Sequence, residues 1–272
     1  MQNPTPRILV TNDDSIKSPA IWKLAEALAA FAEVTIVAPA EQHSGAGRSY
    51  TGPNGELTMI DLPTDSKIHA AYSVGVTPAK AVLFAVVQLL ADTPPDLVVS
   101  GINYGENPGG SITASGTLGA VFEAATLGVR GLAVSRCVPA GEYHSHSDEY
   151  DFGPSAYFAA HFAQMMLNDP AFQQIEILKL DVPADATPQT ECKVTRLSEY
   201  RYYEPVLIRD GDKKGHIDWV TNREDPRIMP GDDVYALLFE NVVTVTPLGM
   251  DMTARYPLSE LHESLKQIPI NG

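Results

Sequence analysis

The chain contains 272 residues, and its 34 aspartates and glutamates outnumber its 19 lysines and arginines, so the formal net charge is −15 at pH 7. A surface this acidic excludes a protein that binds nucleic acid duplexes through a general basic face. With 44% apolar residues, the composition is that of a globular protein. The longest apolar stretch, residues 79–91, is too short to span a bilayer. With no signal-peptide pattern and only two cysteines, we expect a soluble, cytoplasmic protein that has no membrane partner.

The first half of the chain alternates short, unbroken apolar runs with amphipathic segments. The runs are typical of buried parallel strands, and the amphipathic segments are typical of helices. Ser18 is placed to cap the first helix, and Pro19 occupies its first position. The predicted elements are a strand at residues 7–10, a helix after Ser18, a strand at 34–38, a helix at 78–90, a strand at 96–100, a helix at 116–127 and a strand at 131–135. This order indicates an α/β fold of three α/β/α layers, with a parallel, Rossmann-like sheet in the middle.

The second half begins in the same style and then becomes rich in β-branched and aromatic residues. The predicted elements are a helix at 154–167, strands at 176–182, 194–197, 201–208 and 216–220 with a hairpin turn at 210–215, a return strand at 242–246 and a terminal helix at 258–268. No linker divides the chain, so we expect one domain over residues 1–272 with a β-rich extension at about residues 190–225. Because a two-stranded hairpin buries little by itself, the extension is predicted to make oligomer contacts.

Three polar loops follow predicted strands, at residues 11–17, 39–49 and 101–115. The carboxyl ends of parallel strands are where such sheets bind their ligands. The first loop carries the adjacent carboxylates Asp13 and Asp14, which repel each other and become a favourable pair when they share a hard divalent cation. The alternative is that one aspartate caps the next helix and the other is solvated, although Ser18 is the better-placed cap.

The second and third loops offer neutral groups. The hydroxyl of Ser44 suits an oxygen-rich metal shell, and Gly45 allows backbone amides to approach a ligand, but a flexible surface loop explains both equally well. Asn103 and Asn107 offer amide ligands or donors. The run Ser115-Gly116-Thr117 stands where a helix begins, and free amides at a helix start bind phosphate. The alternative there is that Ser115 merely caps the helix.

In order and spacing, the motifs in these loops resemble the stationary-phase survival protein SurE family of nucleotidases. The resemblance is carried by Asn12-Asp13-Asp14, Ser44-Gly45, Ser100-Gly101-Ile102-Asn103 with Gly105 and Asn107, Ser115-Gly116-Thr117, and later Val194-Thr195-Arg196, Trp219 and Val245-Thr246-Pro247-Leu248 with Asp251 and Thr253. It implies a metal-dependent phosphomonoesterase that hydrolyses nucleoside monophosphates (a 5′/3′-nucleotidase). It also implies one divalent cation, Mg²⁺ or Mn²⁺, and a homodimer or homotetramer formed through the extension.

The resemblance also assigns residues to roles. The metal ligands it implies are Asp13, Asp14, Ser44 and Asn103, of which Asp13 and Asp14 are the catalytic candidates. The phosphate surroundings it implies are Asn12, Gly45, Asn107, Ser115, Gly116 and Thr117. Two departures stand out: Ser15 follows the aspartate pair where the family usually has glycine, and residues 75–80 lack the family's usual Asp-Cys. The second departure bears on the rim of the pocket and so on the preference for base or sugar.

The expected reaction is attack by water on phosphorus, activated by the cation. Asp13 is favoured over Asp14 as the proton acceptor, because Asp14 could be wholly occupied by metal. One alternative is an aspartyl-phosphate phosphatase with Asp13 as nucleophile, but that class generally has a second aspartate two residues on, where Ser15 stands. The other alternative is a nucleotide-binding regulator without turnover.

Overall fold

The computed structural model describes residues 4–53, 55–139, 141–143, 147, 149–210, 214–221 and 223–266. The strands within these residues are β1 Arg7–Thr11, β2 Glu33–Pro39, β3 Thr58–Met59, β4 Ala70–Val74, β5 Leu97–Tyr104, β6 Gly131–Arg136, β7 Ile177–Val182, β8 Cys192–Val194, β9 Glu204–Asp210, β10 Lys214–Val220 and β11 Val243–Leu248. The α-helices are α1 Pro19–Leu28, α2 Pro78–Phe84, α3 Gly116–Thr126, α4 Gly153–Asn168, α5 Asp233–Tyr235 and α6 Leu258–Leu265. α2 and α5 continue as short π-helical turns, Ala85–Leu89 and Ala236–Glu240.

Among the described residues, one nine-stranded sheet forms the centre, in the order β3-β4-β2-β1-β5-β6-β7-β11-β8. The six strands from β4 to β7 run parallel, which confirms the predicted α/β fold with a mainly parallel sheet. The two flanks differ from that expectation, because β3 is antiparallel to β4 and the return strand β11 is antiparallel to β7.

Helices cover both faces of this sheet. On β1, Ile8 and Val10 pack in the core that α1 and α4 share, whereas Leu9 packs in the core formed with α2 and α3. Successive side chains of a strand point to opposite faces, so an unbroken apolar run is what a strand buried on both faces requires. α1 begins as predicted, because Ser18 accepts a hydrogen bond from the amide of Ala20 and Pro19 occupies the first turn.

Several predicted boundaries were wrong. β5 does not end at residue 100 but continues to Tyr104, with a register shift between Gly101 and Asn103 against β6. The strand predicted at 194–197 ends at Val194, and beyond it Arg196 forms only an isolated bridge with Asp232. The edge strand β3, its neighbour β4 and the short helix α5 were not predicted. Each of these depends on pairing with residues far away in the chain.

The extension is an antiparallel hairpin of β9 and β10, which pair from Glu204 with Val220 to Asp210 with Lys214. The predicted turn falls in part on residues 211–213, which lie outside the described residues. The hairpin forms a sheet of its own and exposes Leu207, Ile217 and Trp219. α6 buries none of its residues, and the predicted end of this helix at residue 268 also lies outside the described range. Of the helices described, none has the length and apolarity to cross a membrane.

Candidate active site

The predicted loops meet because two parallel neighbours end at the same edge of the sheet. Thr11, the last residue of β1, is paired with Ser100 of β5. The chain leaves β1 into Asn12-Asp13-Asp14, while β5 runs on to Asn103 and Tyr104. The start of α3 packs against the first of these loops, so groups that are about 90 to 100 residues apart in sequence become neighbours.

Asp13 is held by the first turn of α3. The Thr117 hydroxyl donates to Asp13 Oδ1 at 2.6 Å, and the nearby backbone amides of Gly116 and Thr117 lower the pKa of the same carboxyl group. A Cβ at Gly116 would lie 2.7 Å from the Cβ of Asp13, so only glycine allows this close approach. A buried carboxylate at a helix start is a favourable arrangement, because the amides and the helix dipole both face it.

Asp14 is held by two other segments. Its Oδ2 accepts a hydrogen bond from the backbone amide of Tyr104 at 3.1 Å, and its Oδ1 accepts one from Gln42 Nε2 at 2.8 Å. Gln42 Nε2 also lies 3.0 Å from the carbonyl of Tyr143. The sequence reasoning missed Gln42, since nothing in its sequence context distinguishes it from any polar loop residue. The described contacts identify it as the residue that orients Asp14.

Both carboxyl groups have raised pKa values. Burial raises the pKa of Asp13 above its ordinary value, and burial together with the charge of Asp13 raises the pKa of Asp14 well above its ordinary value. Two adjacent buried carboxylates are therefore unfavourable by themselves, and a positive charge between them would reverse that. This is the electrostatic condition of a cation site.

The second loop is attached to the first. The amide of His43 donates to the carbonyl of Asp13 at 2.7 Å, and the amide of Gly47 donates to the carbonyl of Ala114 at 2.9 Å. Ser44 and Gly45 follow His43 directly and are exposed. They therefore lie beside the Asp13 backbone, as residues that share a site with Asp13 must.

The third loop places its two asparagines differently. Asn103 Nδ2 donates to the carbonyl of Gly105 at 2.6 Å, which leaves the side-chain oxygen as the group able to bind a cation. Asn107 is buried, and its Nδ2 donates to Ser135 Oγ at 2.9 Å. One hydrogen of that amide therefore remains for a ligand.

The helix start also differs in detail from the sequence interpretation. Ser115 does cap α3, since its Oγ accepts the amide of Leu118 at 3.2 Å, and its own hydroxyl hydrogen remains able to donate. The Thr117 hydroxyl donates to Asp13, and Gly116 lies against the same side chain. One turn of α3 therefore contains both the cap formed by Ser115 and a contact with the Asp13 carboxylate.

Three buried oxygens near the ends of β1 and β5 have no hydrogen-bond partner within the described part of the chain. They are Thr11 Oγ1, Asn12 Oδ1 and Ser100 Oγ. Asn12 uses only its Nδ2, which donates to the carbonyl of Ser15 at 2.9 Å. Buried polar atoms are normally paired, so unsatisfied oxygens beside Asp13 indicate room for a ligand, an ion or water.

The donor chemistry at this edge fits a hard cation. Over the described ranges there is no group of three or more histidines, cysteines, aspartates and glutamates suited to a metal. The groups that do gather here are two carboxylates, hydroxyls and amide oxygens, which are the ligands of Mg²⁺ or Mn²⁺ rather than of a structural zinc.

The fold and the site together define a Rossmann-like α/β protein with a buried carboxylate pair at the ligand-binding edge of its parallel sheet. The family described as Survival protein SurE matches residues 8–204. The chain belongs to the SurE family.

Individual relatives and one solved structure agree with this assignment. The chain is 38% identical to a 5′-nucleotidase SurE of Thermococcus kodakarensis, over 95% of this chain and 98% of that protein. It is 35% identical to a 5′-nucleotidase SurE of Methanocella arvoryzae, over 92% of this chain and 94% of the relative. The crystal structure of the SurE protein from Aquifex aeolicus superposes with a TM-score of 0.76 at 30% identity, covering 96% of this chain and all of that one.

Proposed function

We propose that this protein is a divalent-metal-dependent phosphomonoesterase that hydrolyses nucleoside monophosphates to a nucleoside and phosphate, a 5′-nucleotidase whose activity extends to 3′-monophosphates. The observation that carries the proposal is the adjacent, buried pair Asp13 and Asp14, both with raised pKa values, at the start of α3. The relatives named 5′-nucleotidase support it.

The residues that would hold one divalent cation, Mg²⁺ or Mn²⁺, are Asp13 and Asp14 with the oxygens of Ser44 and Asn103. The buried carboxylate pair and the unpaired oxygens beside it are the basis for this assignment. A divalent cation bound there supplies an activated water nucleophile and neutralises charge on the phosphoryl group.

The protein's own groups orient the reaction. Asp13 is the proposed acceptor of the proton that the attacking water releases, because one rigid turn of α3 holds its carboxylate through Thr117. Asp14 has both oxygens already fixed, by Tyr104 and Gln42, which suits a positioning ligand better than a proton carrier.

Neutral donors are the proposed phosphate surroundings. They are contributed by Asn12, Gly45, Asn107 and Ser115, and Gly116 and Thr117, whose donors face Asp13, complete the phosphate surroundings. The free amide hydrogen of Asn107 and the hydroxyl of Ser115 are oriented by their bonds to Ser135 and Leu118. Donors that are fixed before the substrate arrives stabilise charge as it develops on the phosphoryl oxygens.

The substitution Asp13→Asn tests this proposal directly. The amide keeps the size of the side chain and an oxygen that accepts from Thr117, so the fold should persist while Mn²⁺ binding and phosphate release are lost. Mn²⁺ affinity is measured by titration calorimetry, and hydrolysis by phosphate release from a nucleoside monophosphate. The matched control is Asp92→Asn, at an exposed aspartate, which should leave both measurements unchanged. Near-normal turnover in Asp13→Asn would refute the assignment, and nucleotide binding without any turnover in the unmodified protein would favour a regulator.

We also propose that the chain is one domain whose β9–β10 hairpin joins subunits into a homodimer or homotetramer. A free hairpin that exposes Leu207, Ile217 and Trp219 gains stability when a partner covers that face. Deletion of residues 201–220 should lower the assembly mass in sedimentation experiments, and an unchanged assembly mass would contradict the proposal. A cytoplasmic location stays a prediction.

A further inference from the structure

We propose that a buried charged triad, formed by Lys179, Asp181 and Asp233, is a positioning element that holds the backbone of the loop at residues 107–109 for phosphate binding. The inference rests on the proposed contact between Asn107 and phosphate. The three residues lie on β7 and at the first residue of α5, outside the three polar loops.

The triad is completely enclosed. All three side chains are 0% exposed, and the Lys179 ammonium contacts the carboxylates of both Asp181 and Asp233, the latter at 3.0 Å. Burial by itself lowers the pKa of Lys179, but the two carboxylates outweigh burial and raise that pKa above its ordinary value. The ammonium is therefore charged.

Both carboxylates also accept hydrogen bonds from the backbone of the loop. Asp181 Oδ1 accepts the backbone amide of Asn107 at 2.7 Å, and Asp233 Oδ2 accepts that of Gly109 at 3.0 Å. Pro108, between them, has no amide hydrogen to offer. Both available amides of this three-residue segment are thus bound to one rigid charged group.

The segment at residues 198–200 of the same polypeptide is fixed by Asp233 and by the loop. Asp233 Oδ1 accepts the amide of Ser198 at 2.8 Å, and the amide of Gly110 donates to the carbonyl of Tyr200 at 3.0 Å. The segment that leads into the β9–β10 hairpin therefore packs on the loop that carries Asn107.

Stability alone is a poor reason for such a triad. Replacing a buried ion pair with apolar residues of similar volume is often neutral or stabilising, because desolvation costs as much as the attraction supplies. Apolar side chains, however, cannot accept the amides of Asn107 and Gly109. The function of the charges is therefore to make strong, directional hydrogen bonds to that backbone.

Two variants separate positioning of the loop from support of the fold. Asp181→Ala removes the acceptor for the Asn107 amide. The triple variant Lys179→Met, Asp181→Asn and Asp233→Asn removes all three charged groups but keeps a side-chain oxygen for the amide of Asn107 and one for the amide of Gly109. If the triad acts through the loop, the first variant is impaired and the second is not. If it acts as an ion pair that supports the fold, both are impaired alike.

The assay measures kcat and KM for a nucleoside monophosphate, and inhibition by inorganic phosphate, at a temperature where circular dichroism shows each variant folded. Asp181→Ala should lose on the order of 10- to 100-fold in kcat/KM and bind inorganic phosphate more weakly. The triple variant should stay within about threefold of the unmodified protein. Lys193→Met, which breaks the exposed pair with Glu240, is the control and should change neither measurement.

Normal kcat/KM and phosphate inhibition in Asp181→Ala would overturn the inference, as would an equal loss in the triple variant. If Asp181→Ala does not fold, Asp181→Ser supplies the same comparison, because its hydroxyl is too short to reach the Asn107 amide. Asn107→Ala tests the proposed phosphate contact separately from the role of the triad. Full activity in Asn107→Ala would refute the proposed phosphate contact itself. A loss of activity in Asn107→Ala together with normal kcat/KM in Asp181→Ala would refute only the role of the triad.

Discussion

A methyl group added at Gly116 would collide with one of the two site carboxylates. α3 begins at this residue, and a Cβ placed there lies 2.7 Å from the Cβ of Asp13 and 2.8 Å from its Oδ2. The first distance is about 0.8 Å shorter than the ~3.5 Å at which carbon atoms pack. Gly116→Ala therefore requires Asp13 and the first turn of α3 to separate by most of an ångström.

The expected consequence is a large loss of activity with a small change in stability. A misplacement of about 1 Å can cost on the order of 100-fold in rate, and we expect kcat/KM to fall by that order. The free energy of unfolding should change less. Overpacking costs roughly 1–3 kcal/mol, and the higher helix propensity of alanine offsets up to about 1 kcal/mol of that cost.

The assay combines phosphate release at saturating Mn²⁺, Mn²⁺ affinity from titration calorimetry, and urea denaturation. Gly75→Ala is the matched control, because nothing lies within 4 Å of a Cβ at that position. Wild-type Mn²⁺ affinity and kcat/KM in Gly116→Ala would refute the idea that α3 fixes Asp13 for catalysis. An unfolded variant would show that the cost of the collision had been underestimated.

Three further predictions concern the same edge of the sheet. Ser15 adopts a left-handed φ of +84°, which is strained for any residue other than glycine. Ser15→Gly should therefore raise the free energy of unfolding by about 1 kcal/mol in urea titrations, whereas Ser15→Ala should not. A lower free energy of unfolding in Ser15→Gly would contradict this explanation. In EDTA, the raised pKa values of Asp13 and Asp14 mean that the folded state binds their protons more tightly than the unfolded state, whose aspartates titrate near the ordinary value of 3.8. The stability contributed by the pair therefore falls as pH rises from about 3.8 through the raised values. Calorimetry should accordingly find metal-free Asp13→Asn more stable than the unmodified protein at pH 7, and this difference in stability should shrink as the pH is lowered. A difference that does not change with pH would contradict the explanation by raised pKa values. Finally, kcat/KM should be higher for a nucleoside monophosphate than for a triphosphate or a bis-nitrophenyl diester. The lysine and arginine within the three loops are Lys17, which pairs with Glu41 at 2.6 Å, and Arg48, which pairs with Glu123 at 2.8 Å, so neither is available to offset extra phosphate charge. A triphosphate or a diester with the highest kcat/KM would overturn that reasoning.

The elements that the sequence predicted correctly are those whose signal is local. The Ile-Leu-Val run of β1 and the Ser18-Pro19 start of α1 depend on residues a few positions apart, and both are found as expected. The α/β class follows from the alternation of such elements. The prediction that polar loops converge also follows, because the ends of neighbouring parallel strands must meet at one edge.

Pairing between distant segments decided the rest. β4, with the sequence Ala-Ala-Tyr-Ser-Val, has a weak strand signal and exists because it pairs with β2. β5 outlasts its predicted end because β6 pairs with it as far as Tyr104, and the amide of Tyr104 then reaches Asp14 across 90 positions of sequence.

The side chains that orient the site also depend on contacts between distant segments. Gln42 has no local pattern that marks it, and it acquires a role only because the fold brings its amide within 2.8 Å of Asp14. Lys179 and Asp181 read in the sequence as polar interruptions of a strand, and they become a buried acceptor for the loop only when α5 delivers Asp233 to them. The sequence by itself determined which residue types stand at the ends of the strands. The tertiary structure alone decided which of them touch, because hydrogen-bond geometry and burial are properties of segments that the chain keeps far apart.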